Sequence, residues 1–95
     1  MSITKSNIQE KFNHFTSHWT PHVIAELNGQ AVKIAKIKGD FIWHQHEDED
    51  EMFWVIKGSM KMELRDQILT LDEGDFTVIP KGVEHKPSAE NETQI

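Results

Sequence analysis

The 95 residues contain no cysteine, no tyrosine, three prolines and a single arginine, Arg65. Without cysteine there is no disulfide, no thiolate chemistry, no Cys-ligated zinc and no iron–sulfur cluster. A reducing compartment, the cytoplasm, is the expected location. Without tyrosine no phenol serves as a catalytic acid or base. One arginine argues against a site built to clamp phosphate. No run approaches the ~18 apolar residues of a membrane span. The start, MSITKSNIQEKF, lacks the apolar core of a signal peptide, so secretion is not expected. Positive charge is scarce as well: 10 bases face 16 acids, for a net charge of −6. With no basic patch, nucleic acid and anionic membrane are not expected partners.

What is present is clustered. Five acids are consecutive, residues 47–51, and without them the balance is −1. The acidity is therefore one local feature. Apolar residues make up 37% of the chain, enough for one small domain with a thin core. Residues 1–20 read as a helix and lead-in, and residues 21–95 as a single all-β domain. Ser6 followed by Gln9 fits a capping box, and Ile8, Phe12 and Phe15 recur at helical spacing, so the helix is expected over residues 1–16. Pro21 ends the lead-in. Strand-like runs then follow at 22–27, 31–37, 41–46, 52–56, 60–64, 68–71 and 76–79. Asn28-Gly29 joins the first two as a hairpin. Many short strands after one helix indicate an antiparallel sandwich or barrel. The tail 87–92 is polar, and Thr93-Gln94-Ile95 reads as a strand that stops as it starts.

His44 and His46 stand two apart, so on a strand both imidazoles leave one face. Two such rings make a bidentate grip for a metal ion. Glu51 can return from the acid run to a third position, with Glu47 as a substitute in poorer register. His85, after the Pro80-Lys81-Gly82 turn, can close the site from another strand. Three neutral imidazoles and one carboxylate leave a divalent ion with a net positive charge, suited to a bound anion or a polarised oxygen. His14, His18 and His22 lack such spacing and are expected to be structural or surface residues.

These residues fall into two ordered motifs: Gly39-DFIW-His44-Q-His46-EDED-Glu51-MFWVIK-Gly58, then Gly74-DFTVI-Pro80-K-Gly82-VE-His85. The pair resembles the cupin superfamily signatures G-x5-H-x-H-x3,4-E-x6-G and G-x5-P-x-G-x2-H-x3-N. The resemblance spans residues 39–89. It implies a small antiparallel jelly-roll barrel, with His44, His46, Glu51 and His85 as ligands of a divalent transition metal. Iron, manganese, nickel, zinc and copper all suit such ligands. Two departures are visible: Gly39 stands one residue closer to His44 than usual, and Ala89 replaces the closing asparagine. Family members also usually continue with further strand beyond the equivalent of Ile95. A short edge, a truncated chain and completion by a neighbouring subunit are all open.

The resemblance implies an enzyme acting on a small molecule, of dioxygenase or isomerase type, or else a non-catalytic module that binds a metal and a small ligand. Phe41, Ile42, Phe53, Val55, Phe76 and Val78 are candidates for pocket lining or plain core. Strand parity predicts that Phe53 and Val55 face inward while Met52, Trp54 and Ile56 face outward. A strand apolar on both faces needs cover on both. A second subunit, making a homodimer, is the expected cover; the alternative is the N-terminal helix folded back through Phe12, Phe15 and Trp19.

Overall fold

The computed structural model describes residues 2–95. One short helix, α1 (Ile8–Phe12), precedes eight strands: β1 (His22–Leu27), β2 (Gln30–Ile34), β3 (Lys36–Asp40), β4 (Glu51–Trp54), β5 (Ser59–Leu64), β6 (Ile68–Asp72), β7 (Phe76–Ile79) and β8 (His85–Gln94). All strand pairs are antiparallel. The strands form a four-stranded sheet in the order β3-β8-β5-β6, a two-stranded sheet β4-β7, and the separate hairpin β1-β2.

Alternation builds the core. Met60 and Met62 on β5, Leu71 on β6 and Ala89 on β8 meet Phe53 on β4, Val55 beyond it, and Ile79 on β7, with Ile37 of β3 completing the cluster. The larger sheet thus packs its inner face on the smaller one. Parity on β4 is as expected: Phe53 and Val55 are buried, whereas Met52 and Trp54 are exposed.

Turn chemistry fixes the connections. Asn28 and Gly29 both adopt positive φ, 52° and 76°, the pattern of the two-residue turn whose twist matches a hairpin. Gly58 has φ 102°, and a Cβ there would lie 2.7 Å from Thr93 Oγ1. Only glycine combines that dihedral with that approach.

The helix is shorter than expected. It starts at Asn7, whose side chain accepts from the Glu10 amide, so Asn7 and not Ser6 is the cap. The following segment attaches to the edge of β3. Trp19 donates its amide to Lys36 O and its indole N–H to Lys38 O, each at 2.9 Å, and stacks on Phe41. Phe15 stacks on His22. With these aromatics so engaged, Trp54 stays uncovered, and the expected alternative of helical cover over it is not realised.

Two further differences concern strands. Residues 41–46 form no strand; only His44 makes a bridge, to His85. The polar tail is instead the longest strand, β8, lying centrally between β3 and β5. Thr93-Gln94-Ile95 is the end of this strand and the residue after it, and Ile95 exchanges two backbone bonds with Ala35. β8 bulges where it pairs β3: Ile37 faces Thr93 while Gly39 faces Ala89.

Candidate metal centre

The irregular segment 41–46 is laid along β8 and the turn before it. Phe41 donates its amide to Pro87 O, His44 and His85 exchange both backbone bonds at 3.0 and 2.9 Å, and Gly82 donates to His46 O at 2.7 Å. This lacing brings together three rings distant in sequence. The ring centroids of His44 and His85 lie 4.2 Å apart, those of His44 and His46 5.5 Å, and those of His46 and His85 6.0 Å. One ring nitrogen of each lies within 4.8 Å of the others. Glu51, the first residue of β4, reaches the cluster through His46, with Oε2 at 2.7 Å from Nε2. Glu47 is exposed and hydrogen-bonded to Gln45. Glu51 is therefore the acid of the run that stands beside the rings.

At His44 and His85 the ring orientation suits ligation. His44 Nδ1 lies 2.9 Å from Ile42 O, and His85 Nδ1 lies 2.9 Å from Val83 O. A carbonyl can only accept, so both Nδ1 atoms carry a proton, which leaves Nε2 as the nitrogen through which either ring would ligate. His85 is almost wholly buried, and its Nε2 has no hydrogen-bond partner. Such an orphaned buried acceptor costs free energy unless something else satisfies it. A metal ion fits that requirement, and a backbone carbonyl behind a ligating imidazole is the usual orienting partner. Burial pushes the His85 pKa below its ordinary value of 6.5, opposed by the bond to Val83 O and reinforced by the nearby His44 ring. That direction favours the neutral ring, the form a metal needs.

Surrounding contacts hold the rings. Phe41 packs T-shaped against His44, ring centroids 5.1 Å apart, and Phe53 does likewise against His85 at 5.7 Å. Phe53 thereby joins the cluster to the core. The loop bearing the acid run is tied down where Asp50 accepts from the Lys81 amide. Of the remaining histidines, His14 is exposed, His18 pairs with Glu92 and His22 stacks on Phe15; none joins the cluster.

Known proteins share this fold. The family model of the cupin domain matches residues 31–95. The chain belongs to the cupin family. Its structure superposes with a TM-score of 0.91 on a cupin-2 domain protein of Shewanella frigidimarina, 48% identical, covering 94% of this chain and 87% of that one. An uncharacterised protein of Bacillus subtilis, YdbB, is 32% identical over 82 residues, 85% of this cupin and 66% of the relative. An acireductone dioxygenase of Puccinia graminis f. sp. tritici is 33% identical over 66 residues, 63% of this chain and 36% of that enzyme. This cupin therefore spans just under two thirds of the first relative's length and about a third of the second's.

Proposed function

We infer that this cupin binds one divalent transition metal through His44, His46, Glu51 and His85 and acts on a small molecule, in a reaction of dioxygenase or isomerase type. The observation that carries the reading is the orphaned Nε2 of buried His85, within reach of two further imidazoles. Similarity to an acireductone dioxygenase over part of the chain supports the enzymatic class. A bound ion would act as a Lewis acid toward a substrate oxygen or dioxygen. The protein's own part is to hold three imidazole rings and one carboxylate convergent, and to pack one side of the site with Phe41 and Phe53. The donor set fits iron, manganese, nickel, zinc or copper. Residues 21–95 are read as the functional domain and residues 1–20 as its lead-in.

A second reading, a non-catalytic metal or ligand-binding module, has one observation in its favour. Glu84, the carboxylate beside His85 in sequence, is engaged by Arg65, and the chain contains no tyrosine. The chain then offers no evident acid or base beyond the ligands themselves.

A homodimer is part of the same proposal. Met52 (57% exposed) stands opposite Val78 (48%), and Trp54 (52%) stands opposite Phe76 (62%), on the outer face of β4-β7. A second copy laid over this face would cover it.

Metal analysis of protein purified without chelator or affinity metal tests the reading. About one equivalent of iron, manganese or nickel is expected, and iron would direct the next assay to oxygen consumption. After chelation, metal restored at ~100 times Kd should add ~2.7 kcal/mol of stability, a rise in Tm of more than about 10 °C at this size. His46→Ala should abolish both effects. Metal below about a tenth of an equivalent, with no thermal shift on any divalent ion, would reject the metal centre.

A further inference from the structure

The single arginine of the chain is not used by the site, yet it stands directly behind it. Arg65 follows Leu64, the last residue of β5, which pairs with His85. Its guanidinium lies 3.8 Å from the centroid of the Trp43 ring, a cation–π stack, and its Nη2 donates to Glu84 Oε2 at 2.8 Å. Trp43 immediately precedes His44, and Glu84 immediately precedes His85. One side chain from a third segment therefore ties together the two residues that lead into the paired rings.

The tie matters because residues 41–46 lack a strand ladder. The segment is held by the His44–His85 bridge and by single bonds at Phe41 and His46, and the His44 ring bonds only to Ile42 O of its own segment, so no ladder fixes where that segment lies. We propose that Arg65 is a positioning residue of the metal centre: by spanning Trp43 and Glu84 it holds the segments carrying His44 and His85 in register, so that both Nε2 atoms converge. The inference rests on the metal-centre reading. It assigns a role to three residues that the ligand motif leaves unexplained. The guanidinium suits this place better than an ammonium, because a planar cation stacks flat on indole while its edge donates to a carboxylate in a fixed geometry.

The test uses the full chain, stripped of metal and titrated with Co2+, whose visible bands report ligand geometry. Arg65→Ala should raise the Co2+ Kd about tenfold and shift the bands, measured well below the Tm of either protein. Arg65→Lys should fall between, and it carries the same reading should Arg65→Ala fail to fold. Adding Glu84→Gln to Arg65→Ala should cost little more, since the partner is already lost. A merely structural arginine would lower Tm and leave Kd and bands unchanged; a Kd within twofold of wild type overturns the proposal. Ring 15N resonances of the metal-free chain separate the two readings. If the wild type binds no Co2+, the metal centre falls, and the clamp is then judged on the rings alone. Displaced His44 and His85 resonances with His46 unmoved support it, and unmoved resonances for all three overturn it.

Discussion

His85 carries two opposed costs. Its Nδ1–H is satisfied by Val83 O, while its buried Nε2 is not satisfied by any protein group. An orphaned buried polar atom costs ~1–3 kcal/mol, against ~0.5–1.5 kcal/mol for the bond that would be lost with the ring. His85→Leu should therefore be at least as stable as wild type in chelator, and should bind no metal. Chemical denaturation in excess chelator checks this; a loss beyond about 2 kcal/mol would show that Nε2 is not a burden. Gly58 is the converse case. Its φ of 102° and the 2.7 Å approach to Thr93 leave no room for a methyl group. Gly58→Ala should cost ~1–3 kcal/mol from backbone strain and displacement of Thr93, with metal affinity little changed. A neutral result in the same denaturation assay would mean that the turn rearranges freely.

Among the elements, β8 organises the molecule. It pairs with β3 on one side and β5 on the other, carries His85 at its start, and receives the lead-in through His18 and Glu92. The hydrogen bond from His18 holds the Glu92 carboxyl below its ordinary value of 4.5, with Lys36 and Lys38 adding attraction. A carboxyl with a lowered folded pKa contributes stability above its unfolded value. That contribution is lost as pH falls through the lowered one. Both partners are exposed, so the effect is less than about 1 kcal/mol. Wild type should exceed Glu92→Gln slightly at pH 5.5, and the gap should close well below pH 4.5. A gap independent of pH across that window would remove the ion pair from the account. The same strand is where residue patterns were least informative. Its sequence HKPSAENETQ reads as a loop, because Pro87 demotes a strand and the run is mostly polar. Yet His85, Pro87 and Ala89 alternate inward. That period-two burial is present in the sequence, but His, Pro and Ala are weak markers of it. Residues 41–46 misled in the other direction: their apolar and aromatic content suggests a strand, whereas they are held as an extended segment by separate bonds to β8 and its turn.

For the whole molecule, the proposed dimer is tested on the outer face of β4-β7. Aromatic and aliphatic side chains line a short two-stranded sheet that no element covers among the described residues, a surface that a second copy would bury. Sedimentation at micromolar concentration should give a dimer. Trp54→Lys with Phe76→Lys should give a folded monomer that still binds metal, because both side chains point away from the cluster. A wild-type monomer at 100 μM would reject the dimer. The scale of the assembly thus separates from the scale of the site.

The sequence by itself determined the features that neighbours in the chain encode. Asn28-Gly29 sets a hairpin because only certain residues accept positive φ, and the alternation along β4 sends Phe53 and Val55 inward because strand side chains change face at every residue. The two-apart spacing of His44 and His46 marked a candidate grip, and the resemblance of the two motifs added Glu51 and His85. Only the tertiary structure decided which segments lie side by side. The bridge of His44 to His85, the central place of β8 and the stacking of Arg65 on Trp43 all join residues far apart in sequence. Such pairings are selected by burial and hydrogen-bond satisfaction across the whole chain, against the entropy of closing long loops. No local pattern records that balance.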